Sequence, residues 1–217
     1  MNHSVDLPEK FETYLFDQFN KKRRFNLKRQ VRLLREHGKG RLELHRVESK
    51  AEAGAFLQAA SVVAREAWQE AYSDEIVQNN VWWLEELEDL AERGLLRAYY
   101  MECAGTPCAY AFGYQFGDIY HYDQPGFAQS FAEYSPGSVL LFLLIEDLIK
   151  YRPVKTLSFG FGDMQYKRVF SNVHAEEVTV IMFKKSLSNK IRLACHRLYR
   201  AGRAFLRRKP RGRNLSE

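Results

Sequence analysis

Three runs of strand-forming residues, 95–103, 108–116 and 119–123, follow one another with only Ala104-Gly105-Thr106-Pro107 and Gly117-Asp118 between the facing ends. Connections this short cannot hold a crossover, so the three strands must pair antiparallel as a meander. The residues after the meander narrow the choice further. A loop over 124–134 leads into Ser135-Pro136-Gly137-Ser138 and then VLLFLLIEDLIK. Proline in the first helical turn gives up an N–H that has no intrahelical acceptor anyway, so a buried helix is expected over 137–150. A short buried strand at 155–159, a glycine-containing loop with a short helix over 160–170, and a last strand at 178–183 complete the pattern.

Upstream of the meander, residues 9–37 read as helix in two parts. Phe11, Tyr14, Leu15 and Phe19 make one apolar stripe and Leu27, Val31 and Leu34 the other, and Gly38 is the stop. Residues 41–47, RLELHRV, alternate as a strand does. Ser49 and Glu52 form a capping box that starts a helix running to about Trp68. Another helix is expected over 80–93, closed by Gly94. Strands and helices intermixed in this order make an α+β fold. The expected division is a basic helical extension at 1–40, a core domain at 41–183 and a basic amphipathic helix and tail at 184–217.

Apolar residues are 46% of the chain, enough for a core, but no apolar run reaches the roughly 18 residues that span a bilayer. The first residues, MNHSVDLPEK, lack the apolar region of a signal peptide, so the cytoplasm is the expected location. Residues 184–217 hold twelve Lys and Arg against one acid, Glu217, so the chain's net charge of +6 belongs to this tail and the body is mildly acidic. The tail and the basic cluster between Lys21 and Arg35 fit either a solvated surface or a contact with RNA, an anionic membrane surface or a protein partner. Three cysteines make an odd count. Cys103 and Cys108 flank a turn without two further ligands at zinc spacing, so no metal site is expected.

Three places could carry chemistry. Ser135, Gly137 and Ser138 stand at a helix start whose amides and positive dipole end suit a phosphate; a proline-started helix without a ligand reads the same way. Asp163, Tyr166 and Lys167 follow Gly160 and Gly162 at the end of a buried strand, where α/β sites often lie. The bland alternative there is a turn with Asp163 as a helix cap and Lys167 in solvent. His121, on one strand face with Asp123, has the intrinsic basicity of a general base or is a structural histidine. There is no GxGxxG, P-loop, HExxH or Ser/His/Asp order to support other classes.

Four segments in this order resemble the acetyltransferase-like domain of the CelD (cellulose-biosynthesis) type in the GNAT superfamily. They are KKRRFNLKRQVRLLREHG, GTPCAYAFGYQ, YSPGSVLLFLLIEDLI and LSFGFGDMQYKRVF, and the resemblance spans about residues 12–172. It implies a GNAT-like mixed, largely antiparallel sheet whose central strands splay apart around an acyl donor. It further implies a donor pyrophosphate at the helix beginning at Gly137, with acyl-CoA (acetyl-CoA) as co-substrate and an amine as acceptor. His121 or Asp163 would remove a proton, and Lys167 or Tyr166 would stabilise the oxyanion. The FemAB-like peptidyltransferases are more distantly similar. Through them Lys167 matches a lysine that stabilises an oxyanion, and the donor is an aminoacyl-tRNA. The expected function is therefore N-acyl transfer by direct attack. The alternatives are an aminoacyl-tRNA-dependent transferase and a non-catalytic GNAT-like binding module that uses its basic helices. On this reading, removing Lys167 should slow turnover with little effect on folding.

Overall fold

The structure is a computed structural model that describes residues 2–66 and 77–175, with isolated positions at 184, 186, 189 and 192. It divides into two units, Met1–Glu177 and Val178–Glu217. In the second, the Asn189 N–H donates to Ser186 Oγ at 3.2 Å, the geometry of a helix N-cap. The strand expected at 178–183 and nearly all of the basic helix expected from Ser186 lie outside the described residues.

The first unit holds β1 (Asn2–Asp6), α1 (Phe11–Gln18), α2 (Lys21–His37), β2 (Leu42–Val47), α3 (Lys50–Glu66), α4 (Val81–Glu92), β3 (Ala98–Cys103), β4 (Thr106–Phe116) and β5 (Ile119–Phe127). A 3-10 helix (Gln129–Tyr134), α5 (Pro136–Lys150), β6 (Thr156–Phe161), α6 (Gln165–Phe170) and β7 (Val173–Ala175) complete it. The strands form one sheet in the order β2-β3-β4-β5-β6-β1-β7. Every neighbouring pair is antiparallel except β5 and β6. This is the mixed, largely antiparallel sheet expected of an α+β GNAT fold.

Alternation along the strands sends residues to two cores. Tyr99, Met101, Ala109, Ala111, Tyr120 and Tyr122 pack with α1, α2 and α5 on one face. Ala98, Tyr110 and Phe112 pack with Phe56, Leu57 and Val63 of α3 and Trp83 and Leu87 of α4 on the other. Helix α5 is apolar nearly all round and is buried accordingly, each fully covered Leu or Ile contributing roughly 1.5–3 kcal/mol. The helix starts form as their residues dictate. Asn20 Oδ1 accepts from the Arg23 N–H and Asn80 Oδ1 from the Trp83 N–H, each at 2.9 Å. Glu52 accepts from the Ser49 N–H at 3.0 Å, which is the expected capping box.

A buried polar network fixes α5 at its C-terminal end. Arg97 is 0% exposed. It donates to Tyr99 Oη, to Gln115 Oε1 and to the carbonyls of Tyr151 and Arg152, and it pairs with Asp147 at 3.4 Å. Arg46 grips the same carboxylate from β2 with bonds of 2.6 and 2.9 Å, and Tyr99 Oη donates to it at 2.8 Å. Burial works against ionisation of Asp147, but the hydrogen bonds from Arg46 and Tyr99 and the two guanidinium charges prevail and hold its carboxyl below the usual range.

Two local expectations change. Residues 2–6, placed by sequence in a helical extension, form β1 inside the sheet between β6 and β7. Residues 124–127, read as loop, continue β5 opposite Ala109–Phe112. Pro125 is tolerated because β5 has lost its other neighbour by this point and is an edge on that side. Gly126 is required because a Cβ there would lie 2.4 Å from Cε1 of Tyr110.

Candidate functional site

Strands β5 and β6 pair for only three residues. The register runs from Ile119 opposite Thr156 to His121 opposite Ser158 and then ends. Beyond it β5 stays with β4 and β6 stays with β1, so the parallel pair separates at Tyr122 and Phe159. A bulge accompanies the separation. Phe112 faces Gln124 and Gly113 faces Tyr122, which leaves Asp123 as the extra residue. Gly113 permits it, since a Cβ there would meet Tyr120 Oη at 2.2 Å and the His121 carbonyl at 2.7 Å.

Two cavities flank β5 at this point. One, of about 200 Å3, is bounded by Tyr122, Gly126 and Phe127 of β5, Gly137, Ser138 and Leu141 of α5, and Met164 and Tyr166 beyond β6. The other, of about 380 Å3, lies toward α4 and is bounded by Asp123 and Gln124, Phe112 of β4, and Gln78, Asn80, Trp82, Trp83 and Glu86.

The first cavity brings together two of the expected segments. Ser135 takes φ 54°, ψ 52° and turns the chain into α5. Its hydroxyl accepts from Gln30 of α2 at 3.2 Å. Sequence expected open amides at both Gly137 and Ser138. The Ser138 N–H already donates to the Ser135 carbonyl at 3.0 Å, and Pro136 has no N–H. The Gly137 N–H is thus the first-turn amide with no acceptor among the described residues, at the positive end of a 15-residue helix.

Tyr166 lines the same cavity and packs on Tyr122 and Phe159. Burial pushes its phenol up to about 12, so it stays protonated. Lys167 is not in solvent. It is 7% exposed, and its Nζ donates to the carbonyls of Phe159 at 2.6 Å and Phe161 at 2.5 Å. Burial lowers its pKa, and the nearby Asp123 charge works the other way.

Asp163 stands apart from this pair. It does not cap α6, whose N-cap is Met164 without a side-chain bond. Its carboxylate is held by Arg168 through two charged hydrogen bonds and lies 3.4 Å from His3 Nε2. The Arg168 bond above all, helped by the charges of Arg168 and His3, holds its pKa at about 2 against the opposing effect of desolvation.

His121 faces the α3/α4 side of the sheet, stacked on Tyr114 with ring centroids 4.7 Å apart and planes 15° from parallel. Burial lowers its pKa, opposed by the Asp123 carboxylate. The imidazole is therefore neutral at pH 7. Asp123 also acts electrostatically on Tyr166 and Lys167, so it stands between the two groups of candidates. Sequence reading placed Asp123 on the His121 face but gave it no role; the bulge that brings it to the gap has no local signature. Trp82 and Trp83 were overlooked too, although adjacent indoles at a helix start cannot both face the core. Cys103 and Cys108 are buried and bonded to the carbonyls of Leu34 and Met101. Among the described residues, Glu43, His45 and Glu102 are the group close enough together to share a metal ion, on the β2–β3 surface away from both cavities.

A search of the curated proteins finds no significant relative. Among solved structures, the chain is similar to FemX at 12% identity and TM-score 0.55, covering 78% of this chain and 57% of that one. It is similar to the C-terminal domain of a putative lysylphosphatidylglycerol synthetase from Agrobacterium fabrum at 13% identity and TM-score 0.51, covering 76% and 48%. L-PGS from Bacillus licheniformis gives 14% identity, TM-score 0.51, and coverage of 76% and 47%. The chain thus spans about half the length of these proteins, and at such identities the likeness is one of fold. The family model described as an acetyltransferase (GNAT) domain matches residues 21–168, which takes in α2, the meander, the start of α5 and the Tyr166-Lys167 turn. The chain belongs to the GNAT acetyltransferase-domain family.

Proposed function

We propose that the protein is an N-acyltransferase that moves an acyl group from an acyl-CoA thioester to an amine by direct attack, and that within its family it is of the CelD type. The observation that carries the transfer reading is the end of β5–β6 pairing after His121, with a cavity on either face of the strand that continues. A donor on the α5 side and an acceptor on the α4 side could meet through that gap without a covalent enzyme intermediate.

The residues present fit such a donor. The Gly137 N–H and the α5 dipole receive a phosphate, and the Ser138 hydroxyl lies beside them. A Cβ at Gly137 would lie 3.4 Å from Phe127 Cδ1, about van der Waals contact, and without it the amide stays uncovered. On the acceptor side, neutral His121 takes the ammonium proton, directly or through a water, and Asp123 stabilises the resulting imidazolium. The amine nitrogen then bonds to the thioester carbon, the carbon–sulfur bond breaks, and the nitrogen's remaining excess proton passes to the departing thiolate, directly or through a water, to leave an amide and the coenzyme A thiol. Tyr166 donates a hydrogen bond to the carbonyl oxygen, and the third Nζ proton of Lys167 adds positive charge behind it. Asp163, already committed to Arg168, anchors the α6 loop in this scheme and does not act as the base.

Thermal unfolding with and without acetyl-CoA, on the wild type and Gly137→Glu, tests the donor site. A ligand at 100 times its Kd stabilises the fold by about 2.7 kcal/mol. The expected result is a shift in the wild type that the variant lacks. A specific feature favours one second reading, an aminoacyl-tRNA donor. Exposed Lys22, Arg23 and Arg29 lie on α2, the helix that Gln30 ties to Ser135. A shift with aminoacyl-tRNA and none with any acyl-CoA would replace the first reading by this one.

A further inference from the structure

We propose that the acceptor is an amino sugar, an ammonium group carried on a hydroxylated ring, bound in the cavity between α4 and β5. This rests on the acyl-transfer reading and adds the chemistry of its second substrate.

Three features of the cavity point to it. The first is charge. Glu86 and Asp123 line the cavity and no Lys or Arg does among the described residues. Glu85 and Glu88 add to the negative field from the same helix, whereas Asp89 and Glu92 are paired with Arg93 and Lys50. Such a wall favours a cation and disfavours a phosphorylated or carboxylated ligand.

The second feature is a set of planar polar groups in place of further charges. Asn80 is committed to the fold, its Oδ1 to the Trp83 N–H and its Nδ2 to Gln78 Oε1 at 3.3 Å. That contact orients the Gln78 amide and leaves its NH2 for a ligand hydroxyl. Gln124 offers a second amide from β5. A simple alkylamine has no use for these groups, whereas adjacent ring hydroxyls pair with them.

The third feature is a flat apolar wall. Trp82 is 62% exposed yet held in place, its ring 5.0 Å from that of Trp83 at 83°. Trp83 is in turn braced edge-on against Phe112 at 5.2 Å. A fixed, wet indole beside carboxylates and amides matches the C–H face of a sugar ring, with the ammonium toward Glu86 or Asp123. A volume of about 380 Å3 is at the small end of ligand cavities and suits one or two such rings.

Isothermal titration calorimetry on the full chain, with unreactive coenzyme A present, tests the proposal. The probes are glucosamine, glucose and cyclohexylamine. Glucosamine should bind at least tenfold tighter than either of the others. Trp82→Ala should weaken glucosamine at least tenfold, and Glu86→Gln should weaken glucosamine more than glucose. Both side chains are exposed, so the coenzyme A thermal shift of these variants should match that of the wild type. Equal affinity for all three probes, or an unchanged affinity in Trp82→Ala, would overturn the proposal while an intact coenzyme A shift left the donor site standing. Glucosamine binding without any coenzyme A shift would uphold the ligand class and overturn the acyl-CoA reading of the donor.

Discussion

Lys167 and Phe159 are joined by a 2.6 Å hydrogen bond from the lysine Nζ to the Phe159 carbonyl, across the turn that leaves β6. A second bond to the Phe161 carbonyl commits another proton of the same ammonium. The side chain thus ties off the end of a strand that has lost its parallel neighbour, and it has one proton left to offer the gap.

The expectation that Lys167 could be removed without affecting folding changes for this reason. Lys167→Ala leaves the buried Phe159 carbonyl and the part-buried Phe161 carbonyl without their donor, which costs about 1–3 kcal/mol for each group that water cannot reach. Urea unfolding of the variant should show a clearly lowered midpoint, along with slower turnover. A wild-type midpoint would mean that solvent satisfies both carbonyls and that the lysine does not hold the turn.

The acid limb of kcat/KM reports the proposed base. Burial sets His121 below the ordinary histidine value, so activity should fall only as pH drops below about 6.5. Asp123 opposes that shift by favouring the imidazolium. Asp123→Asn removes the opposition, so the limb should move to still lower pH while the maximal rate declines. A limb that stays in place would separate Asp123 from His121, and a limb unaltered in His121→Gln would remove His121 from the mechanism.

The Arg97–Asp147 pair gives a prediction about stability. Asp147→Asn leaves the fully buried guanidinium without its counter-charge, and breaking such a pair costs about 3–5 kcal/mol. Because the Asp147 carboxyl is held below its unfolded value, its contribution is complete above the ordinary carboxylate pKa of about 3.9. It is lost as pH falls through the lower folded value. Denaturation curves of wild type and variant should therefore differ most at neutral pH and converge in acid. A constant difference down to pH 2 would show that the carboxylate charge is not the stabilising element.

Local chemistry made much of this architecture legible. The two-turn meander, the Ser49–Glu52 capping box, the stop at Gly38 and the apolar α5 all announce themselves within a few residues. The donor side of the site could be read for the same reason, as a proline-started helix facing a glycine-rich turn. Features that depend on distant partners could not be read. Nothing in His3-Ser4-Val5 signals a strand, because β1 exists only through its pairing with β6 and β7. Pro125 and Gly126 argue against a strand until β5 is known to be an edge there. Lys167 looks like a surface lysine until the carbonyls of Phe159 and Phe161 are placed around it. Asp123 gains its position from a bulge that Gly113, on another strand, makes room for.

The position of β1 has a consequence for how the molecule is assembled. Its neighbours, β6 and β7, begin at Thr156 and Val173, so its contacts span most of the length of the domain. Such pairings are slow to form because a long loop must be closed before either partner gains anything. On a ribosome, residues 2–6 wait exposed until that late part of the chain emerges. The wall of the gap on the β6 side, and with it the Tyr166-Lys167 turn, is then completed by a segment that left the ribosome long before it.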